Sequence, residues 1–263
     1  MNARVIMVTS CKGGVGKSTI CANLAHMLSS CGHRTLLLDC DFGNRSLDLF
    51  LGVQNRVIYD LSDIVLRQLP PEKAVIQCGD TDNLFFCAAP YDLDENLITP
   101  SAFANAVTLL VDRYQPQFVL IDTPGNIGHA FHLAAAVATE AFVVSTCQPV
   151  AIRAAERTGI LLQEYGIEYR RLIINMFAPS QFATAPDSSP LAIIDETCLR
   201  LLGIIPFDPA VMTLQAEGKG VDLLRHSDVP CAYRNLLSRI LGMNVPLFTD
   251  FKRAKRSKLM QNL

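Results

Sequence analysis

The sequence predicts an α/β fold: a mostly parallel central sheet flanked by helices on both faces. Three observations point there. Short apolar, β-rich runs recur along the 263 residues, and helix-like segments lie between them. The runs are nearly continuous rather than alternating, as strands covered on both sides require.

The first run, Arg4–Thr9, precedes a glycine cluster and then Lys17–Cys31, where Ile20, Leu24, Met27 and Leu28 keep a helical spacing and Gly32 supplies a stop. Further strand-like runs are Thr35–Asp39, Leu84–Ala88, Phe118–Asp122, Ala141–Thr146, Arg171–Asn175 and Gly203–Pro206. Helical segments are expected at Ala102–Arg113, Ala151–Tyr165, around Ala192–Leu201 and at Cys231–Leu241. The stretch Ala178–Pro190 reads as an exposed loop. With no internal repeat and no linker, one domain is expected over residues 1–242, followed by a basic tail over 243–263.

Bulk properties narrow the function. A net charge of -2 gives no overall attraction for nucleic acid. The nine cysteines are scattered without a C-x-x-C pair, which argues against a zinc ribbon, a disulfide framework or an iron-sulfur scaffold and fits buried thiols in a reducing cytosol. No apolar run reaches the ~18 residues of a membrane span, so the chain is expected in the cytoplasm.

The run V-T-S-C-K-G-G-V-G-K-S-T, residues 8–19, carries the chemistry. A glycine-rich loop between an apolar strand and a helix lets backbone N–H groups converge on a phosphate, helped by the helix N-terminal dipole. Gly13, Gly14, Val15, Gly16, Lys17, Ser18 and Thr19 are therefore candidate nucleotide-binding residues. In such loops the lysine, here Lys17, reaches the β- and γ-phosphates, and the following hydroxyl, here Ser18, sits on Mg²⁺. The fold expectation sharpens to a three-layer P-loop NTPase. Position 11, however, holds Cys11 where the usual pattern has its first glycine, and Lys12 follows it.

Two other stretches end strands in acids. Asp39 and Asp41, in D-C-D-F-G-N-R-S-L-D-L-F-L-G-V, lie one residue apart at the carboxyl edge of a strand, where ligands of such sheets bind. A carboxylate there can orient an attacking water and take up its proton. Asp122 closes the strand of F-V-L-I-D-T-P-G and suits a magnesium held through water.

The loop K-G-G-V-G-K-S-T, with its early lysine, resembles the deviant phosphate loop of the MinD/ParA family of ATPases, and D-C-D-F-G-N-R-S-L-D-L-F-L-G-V followed by R-V-I-Y-D-L-S-D resembles its MinD branch. The resemblance implies a slow, partner-stimulated ATPase that uses ATP and Mg²⁺ and dimerises when ATP-bound. It gives Lys12 a catalytic role across a homodimer interface, on the partner's nucleotide. It makes Asp41 the general base and puts Asp39 beside the metal and water, with Ser18 and Asp122 as metal residues. Adenine would be met by Asn175 and by the loop after the last strand, Pro206 and Asp208; the guanine-reading N-K-x-D pattern is absent. The family's switch glycine aligns with Asn126, while Gly125 stands one place earlier, and Ala154 replaces an aspartate of the family's regulator helix.

The last fifteen residues carry five basic groups and one acid, leaving the remainder of the chain near -6. A tail with Phe248, Phe251, Leu259 and Leu263 on one helical face resembles the family's amphipathic anchor for anionic membrane. The implied role is a division-site regulator, cytoplasmic and reversibly at the inner face of the cell membrane, with an activator or effector on helix 151–162. A DNA-partition ATPase is the alternative, less favoured because the basic excess lies in the tail, and a flagellar-number regulator is another.

Overall fold

The computed structural model describes residues 3–79, 82–178 and 189–249. Eight strands form one sheet: β1 (Arg4–Thr9), β2 (Thr35–Asp39), β3 (Val75–Cys78), β4 (Leu84–Cys87), β5 (Phe118–Asp122), β6 (Glu140–Ser145), β7 (Tyr169–Phe177) and β8 (Arg200–Pro206). Their order is β3-β4-β2-β5-β1-β6-β7-β8, all neighbours parallel except the β3–β4 pair. This is the expected α/β sheet, with one antiparallel edge strand added. The β3 strand escaped the sequence reading because it is four residues long and alternates rather than running apolar throughout.

Ten helices follow: α1 (Lys17–Ser30), α2 (Leu47–Phe50), α3 (Leu61–Arg67), α4 (Pro71–Ala74), α5 (Pro100–Tyr114), α6 (His129–Val137), α7 (Pro149–Glu164), α8 (Pro190–Thr197), α9 (Ala210–Ala216) and α10 (Val229–Ile240). The expected helices at 17–31, 102–113, 151–165 and 231–241 appear with ends shifted by a few residues. The helix expected to reach Leu201 stops at Thr197, because Cys198 turns left-handed and Arg200 pairs with Arg171 to open β8. Of the expected loop at 178–190, residues 179–188 lie outside the described set.

Alternate strand residues feed two separate apolar layers. Val5, Met7, Leu36 and Leu38 pack with side chains of α3, α5, α6, α7 and α8. Ile6, Val8, Leu37 and Leu120 pack with α1, α2 and α10. Strand interiors of Val, Ile and Leu thus bury both faces, which makes the strands continuous apolar runs.

Residues 243–249 are irregular and lie back along α10: Arg239 donates to Val245 O (2.8 Å), Asn235 Nδ2 to Pro246 O (2.7 Å), and Phe248 N to Asn235 Oδ1 (3.2 Å). Phe248 therefore does not sit on a tail helix as expected; its backbone is held by α10. Phe251, Leu259 and Leu263 lie outside the described residues.

Candidate nucleotide site

The site forms at the carboxyl ends of the central strands. Connections leave β1 toward β2 on one side and arrive at β6 on the other, so a crevice opens above β1 where the chain direction diverges. Residues 10–16 fill that crevice.

The loop's shape follows from its glycines. Gly14 and Gly16 take φ of 78° and 91°, conformations a side chain resists. Gly16 caps α1 with no side-chain hydrogen bond, and no acid stands in the first turn. The first N–H groups of α1 are thus left without a side-chain partner at a site that favours an anion. Lys17 is 7% exposed, its Nζ 3.5 Å from Ser10 Oγ, which in turn donates to Lys12 O at 2.7 Å. Lys12 is half-buried at the loop's leading edge and makes no ion pair with a described residue.

The carboxylates divide their tasks. Asp39 and Asp122 are register partners at the ends of β2 and β5, and both are fully buried. Asp39 Oδ1 accepts from Asp41 N (3.0 Å) and Oδ2 from Leu47 N (3.3 Å). Both its oxygens thus hold the 41–47 loop, each through one bond, and each keeps a further lone pair on the side of Asp122 and the loop. Asp122 differs. Its Oδ2 is buried with no hydrogen-bond partner among the described residues, and its Oδ1 receives the Cys21 thiol at 3.7 Å. Burial raises the Asp122 carboxyl to about 7, against the pull of Ser18 and then Lys17. Burial, then the neighbouring Asp122, pushes Asp39 well above the ordinary carboxyl range. Two desolvated acids, one with an open oxygen beside Ser18, fit a divalent cation whose other ligands come from a phosphate and water. Among the described residues no cluster of three or more His, Cys, Asp or Glu would hold a metal alone.

Asp41 lies farther out, partly exposed, its Oδ2 accepting from Asn44 Nδ2 at 3.1 Å. The 123–128 loop after Asp122 meets the glycine-rich loop at an unexpected residue. A Cβ on Gly125 would lie 2.8 Å from Gly13 N and Cα, so Gly125 presses on the loop while Asn126 is exposed. Cys11 touches Thr158 Oγ1 of α7 at 2.7 Å, and burial raises its thiol, so Cys11 is a packing contact rather than a reactive thiolate.

The expected base residues also converge. A register shift in β7 between Ile174 and Phe177, with Met176 at φ 55°, brings the Asn175 amide onto the loop, where Nδ2 donates to Val15 O at 2.8 Å. Asn175, Pro206 and Asp208 line a slot of about 70 Å³ together with Thr19, Phe207 and Gln215. Two contacts carry no signal in the sequence: Ser10 stands in the quoted run but outside its phosphate-binding pattern, and Gln215 belongs to no motif and reaches the slot through its bond to Thr19 of α1. On the outer face of α7, Arg153, Glu156, Arg157 and Ile160 border an open groove of about 430 Å³ that Ile127 of the 123–128 loop also lines.

The ParA family model, described as NUBPL iron-transfer P-loop NTPase, matches residues 2–241. The chain belongs to the ParA family of P-loop NTPases. This ParA-family chain is 35% identical to the putative septum site-determining protein MinD of Guillardia theta, over 98% of its own length and 95% of the relative's. It is 34% identical to MinD of Bacillus subtilis, over 92% and 90%. In three dimensions it matches a chain of the MinC:MinD cell division protein complex of Aquifex aeolicus with a TM-score of 0.86 and 28% identity, covering 94% of this chain and 99% of that one.

Proposed function

We propose that this ParA-family protein is a MinD-type switch: ATP closes a dimer, the dimer binds membrane and a protein effector in placing the division site, and hydrolysis to ADP and phosphate releases both. The observation that carries this reading is the pair of lysines on one loop. Lys17 is buried inside the cradle, whereas Lys12 leaves it without a described ion-pair partner. A second cation on the rim suits the phosphates of a facing subunit, where it would offset transition-state charge as an arginine finger does.

The geometry supports the remaining roles that the family resemblance implies. Gly13–Thr19 bind the phosphates, Ser18 and Asp122 would hold Mg²⁺ with Asp39 beside the metal and water, and Asp39 also sets the loop that carries Asp41. The metal, when bound, neutralises charge developing between the β- and γ-phosphates. Asp41 orients a water toward the γ-phosphorus and takes its proton as the bond to the bridging oxygen breaks. Asn175, Pro206 and Asp208 receive adenine. The α7 groove, with Arg153 and Arg157, takes the effector, and MinD of the Aquifex aeolicus complex likewise works with a protein, MinC.

The decisive test is Asp41→Ala. This variant should bind ATP and dimerise in light scattering yet release phosphate at least a hundredfold more slowly; unchanged turnover would remove Asp41 from this role. For the membrane step, no described helix is long and apolar enough to cross a bilayer, so attachment would rest on the tail. The full chain should pellet with anionic liposomes in ATP but not ADP, and a chain lacking residues 249–263 should not pellet. Equal pelleting with ADP refutes a nucleotide-gated anchor, and ATP-dependent, salt-sensitive binding to arbitrary duplex DNA would favour the partition reading.

A further inference from the structure

The base slot contains a group that neither the family resemblance nor the relatives assign. Gln215, on α9, lines the slot, and its Nε2 donates to Thr19 Oγ1 at 2.7 Å. Thr19 follows the loop's Ser18 directly, so the Gln215 amide is pinned to the first turn of the phosphate-binding helix. Its Oε1 accepts no hydrogen bond from a described residue. The Asn175 amide is arranged in the same way: Nδ2 is committed to Val15 O, and Oδ1 has no described partner.

Gln215 is held in register by more than this one bond. The segment from Gln215 to Asp222 meets one stripe of α1 at Thr19, Asn23 and His26. Val221 N donates to Asn23 Oδ1 at 2.9 Å, and Asp222 pairs with His26 at 3.4 Å. Spacings of four and three residues put these three positions on one helix face. A side chain fixed at its nitrogen by such a clamp presents its oxygen at a defined place, which is what recognition of a small polar edge requires.

We propose that Gln215 is a specificity-determining residue for the nucleobase, its Oε1 and the Oδ1 of Asn175 accepting the two hydrogens of adenine's exocyclic amine. Two amide oxygens form an acceptor pair. They attract an amine and repel the carbonyl oxygen that guanine or hypoxanthine carries at the same ring position. Phe207 and Met212, both lining the slot and half or more exposed, offer apolar surface to the ring itself. The proposal rests on the reading of this slot as the base site.

The test compares Mg²⁺ complexes of ADP and of purine riboside 5′-diphosphate, which is ADP without the amine, by calorimetry on the full chain. Wild type should prefer ADP by about tenfold, the scale of one or two neutral hydrogen bonds. Gln215→Leu should bring the preference below about threefold, and Gln215→Glu, one oxygen of which can accept from the Thr19 hydroxyl while the other faces the amine, should retain it. The ratio is taken on one protein with two ligands, so any loss of folded material cancels; Gln215 is also only partly buried, on a helix with no buried residue. If Gln215→Leu keeps the full preference, or Gln215→Glu loses it, Gln215 does not read the amine. If wild type itself does not distinguish the two ligands, the slot is not an adenine site and the underlying reading falls with the proposal.

Discussion

Asp122→Asn should make the nucleotide-free protein more stable at pH 8 while disabling it as an enzyme. The stability half follows from burial. Asp122 is fully buried, its Oδ2 has no described partner, and its carboxyl is raised from 3.8 to about 7. Between about pH 4 and 7 the folded chain therefore binds a proton that the unfolded chain does not, so stability falls as pH climbs through that window and stays low above it. Keeping this carboxylate charged costs up to about 4 kcal/mol. Asparagine is nearly isosteric and never charges. The variant should match wild type near pH 4 and exceed it at pH 8 in urea unfolding. Asp39, raised in the same direction, should leave a residual slope in the variant. Hydrolysis should drop on the order of a hundredfold, the scale for losing one electrostatic contact to a transition state, because an amide replaces the anion proposed to hold the metal. A variant less stable than wild type at pH 8 would mean that a cation or hydrogen bond already satisfies Asp122 in the nucleotide-free protein.

The same residues show what the sequence made legible. β1, β2 and β5 appear with the predicted boundaries because continuous Val, Ile and Leu runs have few alternatives to a strand covered on both faces. The cradle was readable because its glycines, lysine and hydroxyl are contiguous. α6 was not, since H-A-F-H-L-A-A-A-V has no polar face from which to read a helical period. α3 does carry a start signal: Asp60 accepts from Ser62 N at 2.8 Å, and Asp63 answers from three residues on, a capping box inside D-L-S-D. What no spacing reveals is how a carboxylate is occupied. Asp39 and Asp122 look alike in the sequence as strand-end acids, and only the fold shows that the first accepts a backbone N–H on each oxygen while the second has one oxygen without a described hydrogen-bond partner. Likewise Gly125, not the aligned Asn126, touches the cradle, because contact is decided by how the 123–128 loop lies over Gly13.

Gly16→Ala should damage nucleotide binding and stability together. At φ 91° an L side chain is strained, and the added Cβ would fall 2.3 Å from Asn175 Nδ2. The strain costs about 1–2 kcal/mol, and displacing the Asn175 amide forfeits its bond to Val15 O, about 1 kcal/mol more. The loop would have to open or α1 would have to shift at its first turn, and either movement disperses the N–H groups that converge on phosphate. ADP affinity should therefore fall at least a hundredfold, alongside a stability loss of about 2–3 kcal/mol. Asn175→Ala separates the two contributions. Alone it should weaken ADP modestly, since the phosphate cradle stays intact; combined with Gly16→Ala it removes the clash but not the backbone strain. The double variant should thus be more stable than the two separate losses predict, by about 1 kcal/mol in a double-mutant cycle. Strict additivity would show that the clash is relieved without cost, leaving the left-handed backbone at Gly16 as the whole reason for glycine there.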